Sequence, residues 1–159
     1  MLTCLAGIAI YAPTDIKSQT HIYYNFTLSA PIGFYRTSQE IPQKGSWVVV
    51  RLNLRYLKHS YDTTAKQHVK LLKPVAALQG DSICRSRTAL YINSIFASHI
   101  SHKQNALFNK AQKTGCYTLN SDEIIVLSSH ENALDSRSFG ILRKADIISV
   151  VKPVIVLYH

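Results

Sequence analysis

A serine beside a Pro-Gly turn is the first residue of this chain that could do chemistry. Ser29 lies in the run NFTLSAPIGFYR, residues 25–36, and is followed by Pro31 and Gly33. Proline and glycine near a serine fix a turn and let another backbone approach closely, as an exposed nucleophile facing an extended peptide requires. An ordinary junction between a strand and a turn has the same composition, so this run alone leaves both interpretations open.

A single lysine among aliphatic side chains is the second. Lys73 lies in LLKPVAALQGD, residues 71–81. Desolvation disfavours the charged ammonium group, so a buried lysine here would have a lowered pKa and could accept a proton as a general base. The alternative is a lysine whose stem lies on the surface with its amine in water. Strand alternation predicts that Lys70, three residues earlier, points to the opposite face.

An acid and a base two residues apart form the third candidate. Asp135 and Arg137 occur in NALDSRSFG, residues 132–140, and we expect them on one side of an extended chain. Their charge-assisted hydrogen bonds could brace a loop beside a catalytic site, although a purely structural ion pair would look the same.

The elements that must position these residues are mainly β-strands. Alternating or β-branched runs predict strands over 46–54, 71–78, 89–97, 124–127 and 147–157, with Asn93-Ser94 as a hairpin turn inside the third. Only 61–70 and 98–113 have a composition that tolerates a helix. The predicted fold class is therefore mainly β with minor short helices.

Composition limits the classes of protein that remain. The 159 residues, 47% of them apolar, suit one folded domain and exclude a charged disordered chain, and three cysteines are too few for a small disulfide framework. Among the seven histidines only His99 and His102 are closely spaced, and no zinc-type ligand pattern occurs, so we predict no metal site.

The net charge of +9 is concentrated in the middle of the chain. Residues 44–113 hold 12 Lys and Arg against two Asp. Aromatic and basic residues alternate there, which leaves open a non-catalytic basic β-domain that binds nucleic acid or a secretion partner. The residues concerned are Trp47, Tyr56, Tyr61, Arg51, Arg55 and Lys58.

The first 13 residues are uncharged and mostly apolar. This run is shorter than the roughly 20 apolar residues that span a membrane, and no basic residue precedes it. We interpret residues 1–20 as part of a membrane anchor or signal, with an ordinary buried element as the alternative.

The three segments, in this order, resemble the boxes of type I signal peptidases, in particular the conjugative-transfer (TraF-type) branch. The first resembles Asn-x-Thr-x-Ser-x-Pro-x-Gly-aromatic-Tyr, through Asn25, Thr27, Ser29, Pro31, Gly33, Phe34 and Tyr35. The second resembles Lys-Arg-Val-x-x-Leu-Pro-Gly-Asp, through Lys73, Val75, Leu78, Gly80 and Asp81. The third resembles Asp-Ser-Arg-Tyr-Phe-Gly, through Asp135, Ser136, Arg137, Phe139 and Gly140. Together they cover about residues 22–157.

The resemblance implies a fold of coiled antiparallel β-sheets with a Ser/Lys dyad. The peptidase domain would span residues 21–159, with 85–115 as a variable insertion between the lysine and Asp-Ser-Arg boxes. Ser29 would be the nucleophile and Lys73 the general base. The Ser29 backbone N–H and the Thr27 hydroxyl would hold the oxyanion, and Asp135 and Arg137 would support the site. No metal or organic cofactor would be needed.

The resemblance also implies that Cys84 and Cys116 are disulfide partners. At three positions the chain departs from the family pattern: Pro74 replaces an arginine, Gln79 replaces a proline, and Ala133 replaces a serine that often hydrogen-bonds the lysine. Without that serine hydroxyl, another group or water must orient Lys73.

The implied activity is a membrane-associated serine endopeptidase that cuts exported precursors after small residues. In the resembled branch the substrate is typically a conjugative pilin precursor, and some members join the new ends into a cyclic peptide. The enzyme would lie at the bacterial inner membrane with its catalytic domain facing the periplasm, against an anionic lipid surface, and without a nucleic-acid partner. General preprotein processing is the nearest alternative, and the basic β-domain is the other.

Overall fold

The computed structural model describes residues 20–53, 68–108 and 115–158, which form mainly antiparallel β-structure. One sheet contains β1 (Ile22–Asn25), β2 (Ile32–Ser38), β3 (Trp47–Asn53), β4 (His68–Ala77), β9 (Glu123–Val126), β10 (Leu142–Arg143) and β11 (Ile147–Tyr158). The other contains β5 (Ser82–Arg85), β6 (Ala89–Ile92), β7 (Ile95–His99) and β8 (Gly115–Thr118). Helices α1 (His102–Leu107) and α2 (Ser136–Phe139) and a 3-10 turn at Lys144–Asp146 are short. The predicted fold class is confirmed.

Strand order brings distant boxes together. The larger sheet runs β1-β2-β11-β3-β4-β9-β10, and the smaller runs β7-β6-β5-β8. Strand β11, close to the end of the chain, therefore separates the strand after the serine box from β3 and from the strand of the lysine box. The serine and lysine boxes are not neighbours in the sheet, so only its coiling can bring their side chains to one site.

Both faces of the larger sheet are covered, which explains the unbroken apolar runs of its central strands. On one face, Val48, Val50 and Leu52 of β3 pack with the main core cluster. On the other face, Val49 packs with Tyr35 and Val151. Adjacent residues of β3 thus point into different clusters, and the face that carries Val49 opens to solvent at Arg51.

Gly33 allows β2 and β11 to approach each other. A Cβ atom at this position would lie 2.0 Å from the carbonyl oxygen of Ile155, so no larger residue fits without moving β11. The register of β11 on β2 shifts between Pro153 and Ile155 at the same place. This contact fixes the strand that leaves the serine box.

The predicted hairpin turn is present, and one of the two helix-tolerant segments contains a helix. Asn93 and Ser94 form the hairpin turn between β6 and β7, with positive φ values of 52° and 65°, as the composition predicts. Helix α1 lies inside 98–113, whereas residues 68–70 begin β4 instead of continuing a helix-tolerant segment. The rest of that segment and the apolar residues 1–19 lie outside the described residues. In the parts described, no helix has the length and apolar character to cross a membrane.

A disulfide joins the strands that flank the 85–115 segment. Cys84 on β5 lies directly opposite Cys116 on β8, with their Cα atoms 4.0 Å apart, and their sulfur atoms are bonded. The bond closes a segment with a sequence separation of 32 residues. Because the described part of this segment, residues 85–108, includes β6, β7 and α1, the bond limits the freedom of most of the smaller sheet in the unfolded chain.

We expect reduction of this disulfide to lower the free energy of unfolding by about 3–4 kcal/mol, because the closed segment is long. Urea denaturation with and without dithiothreitol measures the difference. The Cys84→Ser/Cys116→Ser double variant is the matched control, and its midpoint should not respond to the reductant. Thiol titration of the unfolded, unreduced protein should find one thiol; three free thiols, or equal midpoints, would contradict the bridge.

Candidate active site

The serine loop is held by one buried amide. Asn25, the last residue of β1, is only 8% exposed. Its Nδ2 donates to the carbonyl oxygens of Thr27, Ala30 and Pro31 at 2.8, 2.9 and 3.2 Å. Its Oδ1 accepts from the Thr27 N–H at 3.3 Å and from the Thr27 hydroxyl at 2.9 Å. A single side chain thus satisfies most polar groups of the turn that carries Ser29, which gives the turn a defined shape.

The Asn25 contacts also orient the hydroxyl groups in the loop. Thr27 Oγ1 and Ser29 Oγ are 3.0 Å apart. Because Asn25 Nδ2 faces the carbonyl groups, Oδ1 must be the acceptor that faces the Thr27 hydroxyl. The Thr27 hydroxyl therefore donates its hydrogen to Asn25 Oδ1. Ser29 is therefore the donor to Thr27. In this state the serine proton points at Thr27.

Tyr35 fixes the other end of the loop. Its ring is fully buried, and its hydroxyl donates to the Pro31 carbonyl at 2.6 Å. Burial raises the pKa of this hydroxyl, so it stays protonated and remains a donor. The loop between β1 and β2 is thus anchored at both ends.

The acid-base pair of the third box is buried and bidentate. Asp135 and Arg137 are 0% and 1% exposed. Arg137 Nε and Nη2 donate to the two carboxylate oxygens of Asp135 at 2.9 and 2.6 Å. The expectation of an extended chain is wrong here. Asp135 is the N-cap of α2 and accepts the Arg137 N–H at 3.0 Å, because a carboxylate at this position satisfies a free helix N–H.

Ser128 connects this pair to Ser29. Its hydroxyl donates to the Ser29 carbonyl oxygen at 2.7 Å, and its backbone N–H donates to Asp135 Oδ2 at 3.0 Å. Arg137 Nη2 donates to the Ser128 carbonyl at 3.1 Å. The buried ion pair therefore positions Ser128, and Ser128 positions the backbone of Ser29. Sequence reasoning missed Ser128, which lies 99 residues from Ser29 and in no recognised motif.

A second buried arginine ties the smaller sheet to the same helix. Arg85 of β5 is 7% exposed, and its Nη2 donates to the Arg137 carbonyl at 2.7 Å. Its guanidinium lies 3.8 Å from the centre of the Phe108 ring. Arg137 itself reaches Ser98 of β7 at 3.0 Å. The 85–108 region thus contacts the helix that carries the third box.

Lys73 is buried on the core face of β4. It is 3% exposed and lies opposite Val48 in the register of β3 and β4. Desolvation lowers the pKa of Lys73 from 10.5 to about 8. The Asp135 carboxylate partly opposes this shift, and the Arg137 guanidinium adds to it. The neutral amine that a general base requires is therefore accessible near neutral pH.

The two residues of the predicted dyad line the same pocket. Ser29 and Lys73 both line a pocket of about 190 Å³, together with Thr27. Aromatic and aliphatic residues form much of its wall, among them Tyr23, Phe26, Val49 and Leu72. In the parts of the chain described, Ser29 Oγ is hydrogen-bonded to Thr27 and not to Lys73. Catalytic hydrogen bonds often tighten only when substrate binds.

The three residues that depart from the family pattern, Pro74, Gln79 and Ala133, all lie in described parts of the chain. Ala133 is buried and offers no hydroxyl. The Ser128 hydroxyl donates to the Ser29 carbonyl oxygen. The Asp135 carboxylate remains the group whose charge favours the protonated amine of Lys73. Pro74 lacks an N–H, but its carbonyl still accepts from Leu127 at 3.1 Å. Gln79 lies in the exposed turn before Gly80.

The basic-domain alternative loses one of its aromatic residues. Trp47 is half-buried and packs edge-on against Tyr35, with ring centres 6.1 Å apart. It belongs to the apolar cluster on that face of the sheet instead of forming a free stacking surface. Tyr56, Tyr61, Arg55 and Lys58 lie outside the described residues.

We expect peptide cleavage, the activity that the resemblance implies, to rise with pH through about 8. A lysine that acts as the expected general base must be neutral to accept the Ser29 proton, and the lowered pKa of Lys73 means that its neutral fraction increases from pH 7 to 9. The kcat/KM for a peptide substrate, measured from pH 6 to 10, should increase and then level off. A profile that is flat across this range would show that Lys73 is not the titrating base.

Comparison with known proteins assigns the family. The chain belongs to the signal peptidase family, peptidase S26, whose model matches residues 9–156. Family membership supports a serine protease with signal peptidase function that acts on exported precursor polypeptides. Among solved structures, the chain is similar to a signal peptidase I from Enterococcus faecalis, with 19% identity, 72% of this chain and 100% of that chain covered, and a TM-score of 0.42. A comparison with curated proteins finds no match.

Proposed function

We propose that the chain is an endopeptidase with a Ser29/Lys73 dyad. The observation that carries this proposal is the shared pocket, which is lined by the loop serine and by a buried lysine whose pKa is lowered to about 8. Ser29 Oγ attacks the scissile carbonyl carbon while its proton passes to the neutral amine of Lys73. The protonated amine then gives that proton to the leaving nitrogen, and an acyl-enzyme on Ser29 remains.

The oxyanion is held by the Ser29 N–H and the Thr27 hydroxyl. The Thr27 hydrogen points at Asn25 in the resting loop, so it has to rotate toward the substrate oxygen as charge develops. After this rotation, Asn25 Oδ1 still accepts a hydrogen bond from the Thr27 N–H. The rotation therefore leaves no buried acceptor without a partner.

An extended substrate can bind along the free edge of β4. Strand β9 pairs with β4 only at Val75 and Ala77. Within the described residues no strand pairs with 68–73 on that side, and this stretch leads to Lys73. A precursor peptide that adds as a strand there would have its backbone hydrogen-bonded beside the dyad. The substrate that the TraF-type resemblance favours is a conjugative pilin precursor cut after a small residue.

The surface around the serine loop suits a membrane. Ile22, Tyr24, Phe26 and Leu28 alternate along β1 and the loop and are 57%, 51%, 74% and 62% exposed. Phe34 of β2 packs against Tyr24 with its ring tilted, and residues 154–157 of β11 extend the exposed apolar face. Exposed apolar surface of this extent is typical of an interaction site or a membrane contact. We propose that this face lies on the outer leaflet of the bacterial inner membrane. The Lys and Arg residues of segment 44–113 then face anionic lipid head groups.

The periplasmic side of that membrane fits the cysteine chemistry. Disulfides such as Cys84–Cys116 persist in oxidising compartments and are rare in the cytosol. This supports a catalytic domain that faces the periplasm.

Cleavage of purified precursors tests the function. The chain in lipid vesicles is incubated with a pilin-like precursor and with a general preprotein, and the products are analysed by mass spectrometry. We expect cleavage of the pilin-like precursor after a small residue and an acyl-enzyme on Ser29. A linear product indicates hydrolysis, whereas a product lighter by one water indicates cyclisation.

The other outcomes would identify the alternatives. Preferential cleavage of the general preprotein would replace the pilin assignment with housekeeping processing. Salt-dependent binding of single-stranded DNA without any cleavage would favour the basic β-domain and overturn the peptidase.

A further inference from the structure

Two like charges face each other beside the pocket. Lys70 of β4 lies directly opposite Arg51 of β3 in the antiparallel register. Both side chains are exposed, and neither forms an ion pair within the described residues. Like charges at directly opposed positions destabilise a sheet. Fold stability therefore does not explain this pair.

No carboxylate of the described pocket compensates it. The charged residues that line the pocket are Lys70 and Lys73, and the lining includes no Asp or Glu. Elsewhere in the described chain, four carboxylates already pair with bases: Glu40 with Lys152, Asp81 with Lys44, Asp122 with Arg143, and Asp135 with Arg137. Among the described residues, the open side of the pocket is thus positively charged and has no acidic partner.

The pair adjoins an apolar floor on the same face of the sheet. Leu72 follows Lys70 by two residues on β4, and Val49 precedes Arg51 by two on β3, so each base points the same way as its apolar neighbour. Val49 and Leu72 line the pocket and are opposite each other in the register. Val49 and Leu72 form the floor, and Arg51 and Lys70 form a basic rim beside it. Along each strand the floor residue and the rim residue are roughly 7 Å apart, the distance between alternate residues of any extended chain.

We propose that Lys70, reinforced by Arg51, is a specificity determinant that selects an acidic side chain in the substrate. That side chain lies two residues from the one that contacts the floor of Val49 and Leu72, on the same face of the extended peptide. The inference rests on the proposed peptidase function and adds a charge requirement to it. The interaction acts on substrate binding and not on the chemical step, because Lys70 points away from the face that carries Lys73.

A glutamate scan of the substrate tests this inference. Each position on both sides of the scissile bond of a neutral peptide is changed in turn to Glu or Gln, and kcat/KM is measured at low ionic strength. For one position we expect Glu to be preferred over Gln by about fivefold, through KM, as for a single exposed ion pair. A scan in which no position distinguishes Glu from Gln overturns the proposal.

Charge reversal identifies the residue responsible. Lys70→Glu should remove the preference for Glu at that position and create one for Lys, and Arg51→Glu should weaken it. Lys103→Glu, on the exposed surface of α1, is the matched control and should leave the preference intact. Salt at 0.5 M should reduce the effect because exposed charges are screened. An unchanged preference in Lys70→Glu also overturns the proposal.

The scan separates this inference from the proposed function. Cleavage of the neutral peptide with a flat scan leaves the peptidase standing and removes the role of Lys70. If no peptide is cleaved, the peptidase assignment fails, and fluorescence anisotropy with the Ser29→Ala variant then measures the affinity for the Glu and Gln peptides. Tighter binding of the Glu peptide supports the basic rim, and equal affinities contradict it.

Discussion

Ser29→Ala and Lys73→Met are each expected to lower kcat/KM for peptide cleavage by about 10³-fold or more, the size of effect seen when a member of a catalytic unit is removed. The serine variant lacks the proposed nucleophile, and the lysine variant lacks the proposed base. Methionine keeps the length and packing of the buried side chain, so the second variant should fold. Steady-state cleavage of a fluorogenic precursor peptide at pH 9 measures both.

The double variant and two exposed controls complete this experiment. Because the two residues act as a unit, losing both should cost hardly more than losing one. Ser121→Ala and Lys103→Ala alter exposed residues outside the pocket and should retain wild-type rates. Undiminished cleavage by either Ser29→Ala or Lys73→Met would eliminate the dyad, and Lys73→Arg, which stays charged, should be as inactive as Lys73→Met.

Asp135→Ala is expected to lower the free energy of unfolding by about 3–5 kcal/mol, the cost of leaving one member of a buried ion pair without its partner. The guanidinium of Arg137, which is 1% exposed, would lose both of its carboxylate bonds. The Ser128 N–H would lose its acceptor, and with it the anchor of the Ser29 carbonyl. Urea denaturation measures the stability, and cleavage at a temperature where the variant is folded measures the effect on the loop.

An exposed ion pair supplies the control for that variant. Glu40 pairs with Lys152, and both side chains are more than half exposed. Glu40→Ala should therefore change stability by about 1 kcal/mol at most. Since the Asp135 carboxylate raises the pKa of Lys73, its removal should also shift the pH profile of any remaining activity toward lower pH. A loss of stability in Asp135→Ala as small as that in Glu40→Ala would show that the buried pair does not hold the site together.

Local patterns were sufficient for several of the strands, whereas β1, β2, β5, β8 and β10 were not predicted. The β-branched and alternating runs correctly predict β3, most of β4 and β11, because the period of two is a property of any strand with a buried face. The aliphatic surroundings of Lys73 left both a buried and a surface lysine open, and the structure shows the buried one. The extended chain expected at Asp135 was wrong because side-chain capping, and not hydrophobic periodicity, decides the conformation of a four-residue helix.

The sequence by itself determined the mainly β class, the hairpin turn at Asn93-Ser94, and the serine, lysine and acid-base pair as candidates for one site. Only the tertiary structure decided how those candidates are held. It shows the bonds from Asn25 to the loop carbonyls, the bond from Ser128 to Ser29, and the bond from Arg85 to Arg137. The Asn25 bond is local to the serine loop, whereas the Ser128 and Arg85 bonds join residues that are 99 and 52 positions apart. Those two bonds depend on the order of strands and on the coiling of the sheets, which bring distant segments together. Alternation within a strand specifies which face is buried, but it carries no information on which strand lies next to it.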